Sequence, residues 1–232
     1  MEETLRSLVA AAFALLLVML RLDAARFGVA EYAGTVTGER WTILGWRLAW
    51  FILGLALIGV AAVIYPGPGW QLGLRFGDRG AALLAGVAYA LVGLGQAIAV
   101  ARLRLGRLPV VRPASVPGPA LNALATALVD EAAFRGVILG LLLATGLDAG
   151  VAIVIQALAY ALATRTGAPG RDLYLLVCAL GFGLAGGWLT VETGGIGAAL
   201  VGHAVTRLAL AVVLEPAADE ADEAAEADEA AG

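Results

Sequence analysis

Seven uninterrupted apolar stretches, at about 7–20, 43–65, 80–101, 119–147, 149–164, 173–191 and 194–214, occupy most of this 232-residue chain. They constrain the fold more than any other feature. A helix of about 20 apolar residues crosses the hydrocarbon of a bilayer. Inside it no water is available to the backbone, so every N–H and C=O must be satisfied within the chain, which helices do. The expected fold class is therefore all-α, a polytopic transmembrane helical bundle of about seven spans (six to eight). A composition 61% hydrophobic and 15% charged agrees. One domain over 1–214 is the natural division. The first stretch is short, with Arg6 and Arg21 placed to snorkel at its ends. Glu2 and Glu3 contradict the basic leader of a signal peptide. The fourth is long and should tilt or project beyond the membrane.

Charge divides the chain in two. Residues 215–232 carry eight of the 19 acids and no base, while the rest sets 15 arginines against 11 acids. So acidic an Ala/Asp/Glu segment buries too little apolar surface to fold and reads as a disordered tail. It offers solubility or a landing site for a basic cytoplasmic partner. No nucleic-acid partner is expected; membrane lipid is. Counted by loop, nine arginines (21, 26, 40, 102, 104, 107, 112, 165 and 171) fall on one side and three (6, 75 and 79) on the other. The positive-inside rule then puts the N-terminus outside and the tail in the cytoplasm of a multi-pass plasma-membrane protein. Trp41, Trp46, Trp50, Tyr65 and Trp70 cluster near the ends of the second stretch as an interfacial belt. Arg47, beside Trp46, reads as a snorkelling anchor. The lone Cys178 excludes a disulfide framework and suits packing. No internal repeat marks an inverted-repeat transporter.

Against this apolar background, polar residues recur at helical spacing. The fourth stretch carries Asn122, Thr126 and Asp130, then Glu131 and Arg135. The fifth carries Gln156, Tyr160 and Thr164; the seventh carries His203, Thr206 and Arg207. Ionisable groups within the hydrocarbon cost several kcal/mol and mark reactive or transport sites facing the bundle interior. Glu131 and Arg135, four apart, share a helical face, with Asp130 about 100° away. The spacing predicts a matched Glu131–Arg135 pair and leaves Asp130 available. Asp130 and His203 both lie about 16 Å from the cytoplasmic side by helical rise. Three polar edges at similar depth predict a closed cavity in which a carboxylate polarises water and a polar donor stabilises an oxyanion. The bland alternative is a structural ion pair with polar groups gluing helices together. With no HExxH, one His and one Cys, a conventional zinc hydrolase is disfavoured, although Asp130, Glu131 and His203 could supply three ligands.

In their order, these residues resemble the CAAX-protease and bacteriocin-processing (CPBP, or Abi) family of intramembrane endopeptidases over roughly residues 119–212. The family's EExxxR is similar to Asp130-Glu131-Ala-Ala-Phe-Arg135. Its FxxxH aligns with Tyr160-Ala-Leu-Ala-Thr164, and its His with Asn four later aligns with His203-Ala-Val-Thr-Arg207. Gly183 to Thr190, Thr193 to Ile196 and Gly202 are similar to the run-up to that histidine. The resemblance implies an intramembrane protease acting on a membrane-associated or prenylated protein. Asp130 would take the place of the water-activating glutamate, Glu131 and Arg135 would support it, and His203 would help hold the oxyanion. It allows a divalent metal, zinc, as the cofactor. Asp130, Thr164 and Arg207 depart from the family's Glu, His and Asn. Those departures open the alternative of a non-catalytic membrane adaptor that keeps the fold.

Overall fold

The computed structural model describes residues 2–29, 40–105, 117–166 and 173–211. All regular elements among them are helical: α1 (Glu2–Leu22), α2 (Arg40–Ile64), α3 (Arg79–Leu105), α4 (Pro117–Asp130), α5 (Leu139–Ala144), α6 (Ala149–Thr166), α7 (Leu173–Thr193) and α8 (Gly197–Ala211). Six of the apolar stretches read from the sequence fall on one of them each, within the described residues, and the fourth runs over α4, the segment Glu131–Ile138 and α5. Among the described residues, four helical segments are long and apolar enough to cross a membrane: Glu2–Leu22, Ile43–Ile64, Arg79–Leu103 and Leu173–Thr193. The apolar segments of α6 and α8 are shorter. Outward-facing Leu15, Val63, Leu84, Leu91 and Leu103 give the bundle an apolar exterior, as lipid contact requires. The tail 215–232 and Arg107, Arg112 and Arg171 lie outside the described residues.

Two contacts pin α1 against α2 in antiparallel fashion. Arg6 Nε donates to Ile64 O at 3.0 Å, and Trp50 Nε1 donates to Leu20 O at 2.9 Å. Small residues carry the closest helix contacts. A Cβ on Gly183 would fall 2.9 Å from Ala157 Cα, and one on Gly86 would fall 2.9 Å from Val201 Cβ. Close backbone approach of this kind drives association where lipid removes the hydrophobic incentive.

The segment from Tyr65 to Asp78 folds back into the bundle between α5 and the α7–α8 corner. Leu72 is fully buried, and its Cα would touch a Cβ on Gly140. Asp78 N donates to Thr193 O at 2.8 Å, and Ile196 N to Arg75 O at 2.9 Å. This face also carries the start of α1, so Pro66–Asp78 closes one end of the bundle.

Two arginines depart from their expected roles. Arg21 does not snorkel: it is 3% exposed and turns inward to Asp130. A buried carboxylate otherwise short of a partner outweighs the pull of the interface. The count that placed Arg21 among loop arginines is corrected accordingly. Arg47, read as an interfacial anchor, donates from Nε to Gly28 O at 2.7 Å and so ties the start of α2 to the end of the α1 turn.

Candidate active site

The fourth apolar stretch is one continuous helical run from Pro117 to Ala144, but its middle is not a regular α-helix. Glu131–Ile138 is widened into a π-helical stretch, and the Leu139 amide donates to Phe134 O, five residues back. Such stretches are uncommon and concentrate at functional sites. All eight residues are buried. The four-residue spacing in the sequence gave no sign of the widening. The two adjacent carboxylates meet different cations, Asp130 those of α1 and α8 and Glu131 that of Arg135.

Asp130 meets two cations. Arg21 Nε of α1 lies 3.1 Å from Oδ1, and Arg207 Nη1 of α8 lies 3.6 Å from Oδ2. The expectation of an available Asp130 is therefore overturned. The sequence could not reveal it, because Arg21 sits far away at the end of another helix.

Glu131 pairs with Arg135 as its spacing predicts, Oε1 to Nη1 at 3.1 Å. The same Oε1 lies 2.6 Å from His203 Nδ1. On the far side of the imidazole, Nε2 lies 3.3 Å from the Tyr160 hydroxyl. Arg135 Cζ stands 4.1 Å above the Tyr160 ring, and Phe134 meets the same ring edge-on at 5.3 Å. Side chains from all three polar edges predicted to face one another thus meet, Glu131 touching His203 and His203 touching Tyr160. Glu131 Oε2 is buried and has no hydrogen-bond partner among the described residues.

The remaining polar positions divide. Thr126 returns its hydroxyl to Asn122 O at 2.6 Å, and Thr206 returns its own to Gly202 O at 2.8 Å, so both satisfy their own helices. Thr164 is buried, and its hydroxyl has no hydrogen-bond partner among the described residues; neither amide atom of buried Gln156 has one. The second-motif position therefore flanks the cluster without a hydrogen bond to it.

Sequence reasoning missed what makes room for the cluster. A Cβ on Gly186 would approach Arg135 Nε to 3.2 Å, and one on Gly187 would approach Gln156 Oε1 to 2.8 Å. The adjacent glycines of α7 thus leave space for two buried polar side chains. The carbonyl of Phe182 accepts from Arg135 Nη2 at 3.3 Å and from the Tyr89 hydroxyl at 2.8 Å, adding α3 to the support. The pairing Gly-Gly was the only available signal.

Beside His203 lies a cavity of about 30 Å³ whose polar lining is Gln96, Tyr160, Thr206 and Arg207. That volume and those donors and acceptors suffice to hold a water molecule. Its apolar walls include Leu175 at the start of α7 and Leu210 near the end of α8, so it lies toward the face opposite the Pro66–Asp78 segment.

The donor set does not suit zinc. No group of three or more His, Cys, Asp or Glu side chains is arranged for a metal among the described residues. Asp130 faces two guanidinium groups, Glu131 shares Oε1 between Arg135 and His203, and Arg135 stands within the cluster. A divalent ion would have to displace or oppose these cations.

Residues 112–209 match the family model described as type II CAAX prenyl endopeptidase, Rce1-like. That span contains Asp130, Glu131, Arg135, Tyr160, Thr164, His203 and Arg207. No curated protein and no solved structure matches the chain.

Proposed function

We propose that the chain, whose residues 112–209 match the type II CAAX prenyl endopeptidase model, hydrolyses a peptide bond of a prenylated or otherwise membrane-associated substrate, using the Glu131–His203 pair. The observation that carries this reading is the 2.6 Å contact between Glu131 Oε1 and His203 Nδ1, with Nε2 turned toward Tyr160 and the water-sized cavity. A carboxylate on Nδ1 fixes the orientation of the imidazole and leaves Nε2 to take a proton. Asp130, with its oxygens facing Arg21 and Arg207, is not the base in this scheme.

The steps balance with water and peptide alone. His203 Nε2 accepts a proton from the water while its oxygen adds to the scissile carbonyl. The Tyr160 hydroxyl and the Arg207 guanidinium, both at the cavity, are the groups suited to hold the oxyanion that forms. As the tetrahedral adduct collapses, the C–N bond breaks and His203 returns the proton to the leaving amine. Arg135 neutralises Glu131 and, stacked on Tyr160, holds that ring in place.

The membrane setting belongs to the same proposal: one bundle of about seven spans over 1–214, in the plasma membrane, with the N-terminus outside. The acidic tail would then lie in the cytoplasm, free to meet a basic partner. The His203 cavity would open toward the cytoplasmic side, where a prenylated chain terminus would arrive.

A second reading is favoured by the contacts of Asp130 and by the unpartnered Thr164 hydroxyl. These two of the family's reactive positions carry residues engaged elsewhere or chemically unsuited, as expected of an adaptor that retains the fold. The deciding experiment places purified protein in proteoliposomes with a farnesylated CAAX peptide and with its unprenylated counterpart. The protease reading expects cleavage, faster for the prenylated peptide, that is lost in both Glu131→Gln and His203→Ala. Cleavage that survives both changes, or no cleavage by folded protein, overturns it.

A further inference from the structure

A cleft of about 470 Å³ opens on the face that carries the start of α1, away from the His203 cavity. Its walls come from the infolded Pro66–Asp78 segment, from α5 and from the C-terminal turn of α7. The geometry points to a binding site for the phosphate headgroup of an anionic phospholipid, with Arg75 as its principal cation.

The exposed charge of the lining is one-sided. Arg75 supplies it, Arg135 is buried and paired with Glu131, and no Asp or Glu contributes. Arg75 is held from two sides: Nε donates to Gly194 O of the α7–α8 corner at 2.5 Å, and Cζ lies 5.8 Å from the Trp70 ring centroid. The guanidinium is therefore held by one nitrogen while its remaining N–H groups stay exposed. Tyr65 donates its hydroxyl to Gln71 Oε1 at 2.7 Å, so the amide oxygen of Gln71 is occupied and its NH₂ is the end left to donate.

The other walls suit an acyl chain rather than a soluble ion. Leu139, Leu143 and Val191 line the cleft below the polar rim. Trp70, 59% exposed, stands at the rim, where an aromatic ring meets the headgroup layer. Donors above and apolar side chains below are the order in which a phospholipid presents its phosphate and its tails. Fixing Arg75 in advance lowers the ordering cost of binding.

Native mass spectrometry of the full chain, released from detergent with phosphatidylglycerol or phosphatidylcholine, tests this. Phosphatidylglycerol should be retained about fivefold over phosphatidylcholine, the factor one arginine near an anionic surface is worth. Arg75→Gln should abolish that preference, and Arg75→Lys should keep it by preserving the charge. Equal retention of the two lipids, or a preference unchanged in Arg75→Gln, overturns the site. Displacement of phosphatidylglycerol by millimolar inorganic phosphate also overturns it, since that outcome assigns the cleft to free phosphate. Tryptophan fluorescence of the Gln variant, matched to that of the unaltered protein, separates lost binding from lost fold.

Discussion

Arg21 Nε lies 3.1 Å from Asp130 Oδ1, with both side chains almost completely buried. The contact joins the end of α1 to the residue that sequence resemblance marks as the water-activating base. Removing one partner of a buried ion pair leaves an uncompensated charge, which costs about 3–5 kcal/mol. Arg21→Met should therefore lower stability by that order, because Arg207 at 3.6 Å compensates Asp130 incompletely. Adding Asp130→Leu to the same background should recover part of the loss. Thermal unfolding of the two single variants and the double variant in detergent measures the coupling. Strictly additive effects would show that the two residues do not stabilise one another.

Activity should separate the two carboxylates. Removing a positioned general base typically costs 10²–10⁴ in rate. Hydrolysis of a farnesylated peptide should fall by about that factor in His203→Ala, and by a comparable factor in Glu131→Gln, which weakens the hold on Nδ1. Asp130→Asn, compared at matched folded fraction, should lose much less. A collapse of activity in Asp130→Asn with Glu131→Gln intact would return the base role to Asp130.

The bundle was legible because its cause is local. An apolar run must become a helix in lipid whatever surrounds it, and each predicted run is helical within the described residues. Glu131–Arg135 was legible for a similar reason, since four residues of helical spacing sufficed. Arg21 with Asp130 was not, because their meeting depends on how α1 packs against the π stretch, and nothing in either local sequence encodes that. The same limit hid the widened turn itself. Tyr160 beside His203 lies between these cases: the polar edges gave both residues, while only packing chose Tyr160 over Thr164.

Gly186 makes a packing prediction with an internal control. A methyl there would meet Arg135 Nε at 3.2 Å and Nη2 at 3.4 Å, with the Tyr89 hydroxyl at 3.5 Å. Arg135 cannot yield freely, because Glu131, the Phe182 carbonyl and the Tyr160 ring all hold it. Gly186→Ala should therefore destabilise by about 1–3 kcal/mol, the usual cost of overpacking. Gly181, on the same helix, has nothing within 4 Å of its added methyl. Gly181→Ala should be neutral or stabilising by up to about 1 kcal/mol from helix propensity. Thermal unfolding of the pair measures the difference; equal shifts would mean Arg135 has room that the geometry denies.

Restoring the family's residues at 164 and 207 distinguishes the two functional readings. Arg207 lines the cavity beside His203 and also faces Asp130 Oδ2 at 3.6 Å. If hydrolysis runs through Glu131 and His203, Arg207 is an oxyanion donor, and loss of one such donor costs about 10²–10³ in rate. Arg207→Asn keeps a shorter donor amide, so its rate should fall toward the lower end of that range. Adding Thr164→His should not recover it, because the hydroxyl it replaces has no hydrogen-bond partner among the described residues. Initial rates on the farnesylated peptide for the single and double variants supply the answer. A double variant faster than the unaltered chain would mean that Asp130, released from Arg207 and given a histidine neighbour, is the better base, and that the natural chain holds it idle.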